Sequence, residues 1–126
     1  MHKYKIIEKK EDIKDSVIEK SGVKIKITLG DMETQYKRVL KIKEEMEAQK
    51  LVDEAQVTNC ETNYPGIEDA TEEDEKRAIA LTLRKGNLQE IKELEAKLKE
   101  IDEACVEYVE EIAEIKKQIN EQLNEQ

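Results

Sequence analysis

Residues 91–119, IKELEAKLKEIDEACVEYVEEIAEIKKQI, decide the fold. Within them Ile91, Leu94, Leu98, Ile101, Cys105, Tyr108, Ile112, Ile115 and Ile119 recur in alternating steps of three and four. With Ile91 at heptad position a, the a positions read Ile, Leu, Cys, Ile, Ile and the d positions Leu, Ile, Tyr, Ile, before Gln122 ends the track. A helix turns once per 3.6 residues, so this spacing gathers all of these side chains into one stripe. A strict seven-residue repeat also drifts by about 20° per heptad on a straight helix, so the stripe predicts supercoiling around a partner helix. These residues are the candidate packing seam.

Upstream, Asn87 with Glu90 three residues later carries the signature of a helix start, and Gly86 suits a helix end, so the long heptad helix is expected from about Leu88 to Asn124. A shorter helix is expected before it, opened by Thr71 with Glu72, Glu73 and Asp74 in its first turn, where the helix dipole favours negative charge. The alternation Ile79, Leu81, Leu83 also fits a strand; the cap decides for helix. Residues 58–70 hold Asn59, Asn63 and the chain's only Pro-Gly pair, Pro65-Gly66, and read as an acidic loop.

From Met32 to about Val57 no Gly or Pro interrupts the chain, and Asp31 is the expected N-cap of a helix there. Its stripe runs Met32, Val39, Ile42, Met46 and then Gln49, Asp53, Gln56. It becomes polar in its second half. Three coverings of the 91–119 seam therefore stand open: a helical hairpin with residues 31–57 that also oligomerises, a hairpin monomer, and a parallel coiled coil between chains. Val109 and Leu123 at e positions widen the apolar face, which favours a bundle of three or four helices over a narrow two-stranded seam.

Residues 3–29 behave as β structure. Val23, Ile25, Ile27 and Leu29 alternate with Lys24, Lys26 and Thr28, and Ser21-Gly22 is a turn signal, so a hairpin of about 16–20 with 23–29 is expected, with Tyr4–Ile7 as a third strand. Such a hairpin is marginal alone and must lean on a helix or another chain. The fold class expected is mainly α (α+β): a basic N-terminal β-hairpin (1–30), a helix (31–57), an acidic loop (58–70), and a short helix plus a long heptad helix (71–126).

Composition agrees with this reading. Charged residues are 42% of the 126 and hydrophobic ones 37%, with no Trp or Phe and one Pro, a mixture close to that of coiled coils and solvated helices. The 14 Ile, nine Leu and seven Val fall in stripes, which argues against disorder of the whole chain. Lysine outnumbers arginine 19 to 3, a bias that suggests an AT-rich genome, such as that of a low-GC bacterium or its phage. No apolar run approaches the ~20 residues that cross a bilayer and no secretion signal opens the chain, so a cytoplasmic or virion location is expected.

The residues that carry chemistry are sparse. The single histidine is His2, no Ser, Cys or Lys stands beside a recognisable base, and no glycine-rich phosphate loop occurs, so no catalysis, cofactor, metal or small-molecule substrate is expected. Cys105 at an a position reads as a small core residue, with a self-complementary crosslink as the functional alternative; Cys60 reads as an exposed loop residue.

Charge divides unevenly along the chain. Residues 1–30 carry eight Lys against five acids, while 51–75 carry nine acids and no basic residue, either a solvated surface or a docking surface for a basic partner. The expected function is a non-enzymatic structural, assembly or adaptor role through coiled-coil oligomerisation with a copy or another helical protein, as in a phage virion. The alternative is a nucleic-acid-associated regulator using the Lys-rich hairpin. Absent arginine there, one aromatic (Tyr4) and the net charge of −9 argue against nucleic acid.

Overall fold

The computed structural model describes residues 4–23, 25–69 and 75–124. The chain is mainly α. A three-stranded antiparallel sheet, β1 (Tyr4–Glu8), β2 (Val17–Lys20) and β3 (Lys26–Thr28), is followed by two long helices, α1 (Leu29–Asn63) and α2 (Glu75–Asn124), that form a helical hairpin. The chain divides into two compact units: the first holds residues 1–41 and 101–126, the second residues 42–100.

In the first unit β2 is the central strand. Its Ile18 stands opposite Ile6 of β1 and Ile27 of β3, so three β-branched side chains cross one face of the sheet. Ile18 is fully buried and packs in one cluster with Leu29, Met32, Ile115 and Ile119. Here the marginal sheet finds the helices it needs. The opposite face pairs Lys5 with Glu19 and Glu19 with Lys26, so the lysines there alternate with an acid across the strands.

Between β1 and β2, Asp12 caps a short 3-10 turn at Ile13–Asp15 and accepts from the Lys14 amide at 3.2 Å. Ser16 is buried; its hydroxyl accepts from the Lys10 amide (3.1 Å) and its carbonyl from the Leu29 amide (3.0 Å). These bonds satisfy backbone groups that the sheet leaves over.

Two expectations are corrected here. The alternation from Val23 to Leu29 is not one buried strand face: only Lys26–Thr28 are strand, and Val23 and Ile25 are exposed. Nor is Asp31 the N-cap. Thr28 takes that position, its hydroxyl accepting from the Asp31 amide (3.0 Å) while the Asp31 carboxylate accepts from the Thr28 amide (3.2 Å). This reciprocal capping box turns the strand directly into α1, so Leu29 enters the core as the first helical residue.

In the second unit α1 continues to Asn63, beyond the expected end near Val57. It stops at Tyr64-Pro65-Gly66-Ile67, where Pro65 fixes the first turn position, Gly66 adopts φ +74°, and the Ile67 amide closes on the Tyr64 carbonyl at 3.1 Å. Ile67 then packs with Cys60, Ala80 and Leu81, so Cys60 is a core residue here and not an exposed loop residue. Arg84 holds the acidic end of α1, its guanidinium donating to Glu61 at 3.0 Å, and Arg77 donates to the Pro65 carbonyl at 3.3 Å. The expected cap at Thr71–Asp74 lies outside the described residues.

The expected break at Gly86-Asn87 does not occur. Residues 75–124 are one helix, and 78–85 are helical, not strand. Gly86 faces open space and Asn87 is buried, so the helix passes through both. A glycine costs a helix interior only about 1 kcal/mol, which packing on either side of it offsets.

Candidate interaction surface

The residues of the expected seam lie along the inward side of α2. In the second unit Ile91, Leu94 and Leu98 are half-buried; in the first, Cys105, Ile115 and Ile119 are buried and Ile101, Tyr108 and Ile112 half-buried. On α1 the buried side is Met32, Val39, Met46, Asp53 and Cys60 at seven-residue spacing, accompanied by Tyr36, Lys43, Lys50 and Val57. That companion track lies four residues after each heptad residue. The expected one through Ile42, Gln49 and Gln56 is exposed.

The first unit carries an apolar groove that no described residue fills. Tyr36, Lys37 and Leu40 of α1 and Val109, Ile112 and Ala113 of α2 line a volume of about 400 Å³, and Glu33 and Lys116 join its two walls by an ion pair of 3.4 Å. Tyr36, which lines the groove, meets Tyr108 edge to face, ring centres 5.9 Å apart. The sheet covers the other side: Tyr4 and Lys20 face Ala104, Glu107 and Glu111 across a smaller cleft of about 190 Å³. At 3.6 residues per turn the two sets of α2 residues fall on opposite flanks. One flank is covered by the sheet; the other is open, with Val106 and Val109 more than half exposed at 56% and 52%.

The second unit contains a polar layer that sequence reasoning missed. Asp53 is buried on the inward side of α1; its Oδ1 accepts from Gln49 Nε2 at 3.0 Å, while Oδ2 has no donor. The carboxyl of Glu90, on the rim, lies within hydrogen-bonding reach of Asp53. That hydrogen bond, and then the Asp53 charge, hold the Glu90 pKa above the ordinary carboxylate range. The Asn87 amide, one turn before Glu90, is buried with Nδ2 unsatisfied. A sequence signal existed: Asp53 sits at a heptad position between Met46 and Cys60.

This pair has a pH consequence. A carboxyl whose folded pKa is raised favours the folded state when protonated, so its contribution is present at low pH and is lost as pH rises through the raised value. Glu90→Gln keeps a donor for Asp53 and removes the charge. Its melting temperature should exceed that of the unsubstituted chain at pH 7, the difference vanishing near pH 4; an equal difference at both pH values would show that the two carboxyls do not interact.

Other charged groups are arranged as surface. Lys10 pairs with Glu8 at 2.7 Å, a hydrogen bond that raises the lysine pKa, and Lys50 reaches Glu95 at 3.3 Å across the hairpin. Among the described residues no three His, Cys, Asp or Glu are grouped to hold a metal ion, and no helix is long and apolar enough to cross a membrane. Compared with protein-family models, curated proteins and solved structures, the chain matches none.

Proposed function

We propose that the chain is a non-catalytic structural or adaptor component that joins chains by packing helices, with the open groove of the first unit as its contact surface. The observation that carries this reading is the apolar flank of Leu40, Val109, Ile112 and Ala113, left bare on a helix pair whose other flank is already covered. Apolar side chains at heptad spacing on both sides of one helix are the pattern of a bundle member, which needs a neighbour on each side. The walls are helical, so the shape they accept is another helix. A virion or other repeating assembly is a setting that such a part suits.

The test is the solution mass of the reduced protein across a concentration series. A multiple of the 14.7 kDa chain mass is expected, reverting to one chain on Val109→Glu, which places a charge in the groove wall. A single-chain mass at every concentration, or a multiple indifferent to Val109→Glu, would overturn the reading.

A further inference from the structure

We propose that the helix that packs on this open flank is α2 of a second copy, antiparallel, about a two-fold axis close to Val109. The inference rests on the assembly reading above and names its partner and register.

The open flank of α2 has its own repeat. Asp102, Val106, Val109, Ala113 and Lys116 follow one another in steps of four, three, four and three, a second seam beside the buried one. Its centre is apolar and exposed, one end is acidic with Asp102 and Glu103, and the other is basic with Lys117 and with Lys116, which also holds Glu33 of its own chain. Turning a second copy end for end about Val109 sets Val106 beside Ala113, Val109 near its own mate, Asp102 against Lys116, and Glu103 against Lys117. Every such contact away from the axis occurs twice by symmetry, and Val109 meets its mate once on it, as a closed two-fold interface requires. A parallel pair would instead set each of these residues against its own copy, acid on acid and lysine on lysine. Opposite charge across the rim selects the antiparallel register. Glu110 near the axis is its like-charge contact, on the solvent side where salt screens it.

The second unit shows what this pattern excludes. Ala48, Leu51, Val52 and Ala55 also form an exposed apolar stripe on α1, with Leu51 66% exposed. One end of that stripe carries Glu44 and Glu45, and the other Thr58 and Asn59, with no cation to receive them in an antiparallel copy. Of these two stripes, the α2 flank is the one complementary to itself.

The experiment uses the full chain under mild oxidation, with the unsubstituted protein as control because its Cys60 and Cys105 are both buried. Val106→Cys mixed with Ala113→Cys should give a crosslinked dimer, while each alone should give little. Charge reversal supplies the second readout. Glu103→Lys and Lys117→Glu should each weaken the dimer about fivefold to tenfold, and the two in one chain should restore it. Crosslinking of each cysteine variant with itself, or a double reversal no better than the single ones, would overturn the register even where the mass series still shows a dimer. A mass that grows without limit would overturn the closed two-fold, and a single-chain mass would overturn the assembly reading with it.

Discussion

Ile18→Ala is expected to destabilise the first unit by about 2–5 kcal/mol, the range for emptying a buried isoleucine site. Ile18 is fully buried, stands between Ile6 and Ile27 in the sheet, and packs against Leu29, Met32, Ile115 and Ile119. The cluster with Leu29, Met32, Ile115 and Ile119 joins the sheet to the helices, so the cavity opens where the central strand meets them. The backbone around it has little freedom to collapse, because Ser16 two residues earlier is tied to Lys10 and to Leu29. The loss should therefore appear first in the strands. Amide exchange at β1–β3 should accelerate by at least ~30-fold, as ~2 kcal/mol requires, while exchange in the α1 and α2 segments of the second unit changes little. Uniform acceleration throughout would mean that the units do not unfold separately. A loss below about 1 kcal/mol would mean that the sheet is held from elsewhere.

The parts of this architecture that could be read from sequence are those in which one local signal acts alone. The 91–119 heptads mark the more buried side of α2, with Cys105, Ile115 and Ile119 buried, because they fill every core position over four heptads while the second row through Val106 and Val109 is short. The strand alternation at Val23–Leu29 misled because a second signal, Thr28 with Asp31 three residues on, outranks it: the capping box starts the helix three residues before Asp31 could. Gly86-Asn87 misled for the opposite reason. Its weak propensity against helix is overridden by packing on either side, and propensity cannot report packing. Half of the groove was legible, since Val109 at an e position already widened the apolar face. Its α1 wall was not. Tyr36 and Leu40 stand off the Met32–Val39–Met46 track, and only a folded helix pair shows that they share a flank with Ile112 and Ala113.

Asp53→Leu is expected to stabilise the second unit by about 2 kcal/mol. Burying a leucine side chain contributes about 1.5–3 kcal/mol, and removing a buried oxygen that lacks a donor relieves about 1–3 more. Against these stand the lost hydrogen bond from Gln49, worth about 1 kcal/mol, and the fit of a larger side chain between the Met46 and Cys60 levels. The same substitution removes the hydrogen-bond partner and the charge that raise the Glu90 pKa, so the low-pH advantage of the chain should disappear with it. Asp53→Asn separates the contributions: it supplies a donor toward Glu90 without adding apolar area, and should abolish the pH effect as Asp53→Leu does, with little of its gain in stability. The measurement is urea unfolding of both variants at pH 7 and pH 4, followed by amide exchange in residues 42–63. Lower stability of Asp53→Leu at pH 7 would mean that the polar layer is satisfied, by water reaching Oδ2 and the Asn87 amide. A gain with the pH dependence gone would identify Asp53 as a residue kept at a core position at a cost in stability. Such a cost is what a polar residue within a heptad seam exacts when it fixes which helix levels pair, because any slip of α1 against α2 would carry the carboxylate away from Glu90 and into the apolar layers.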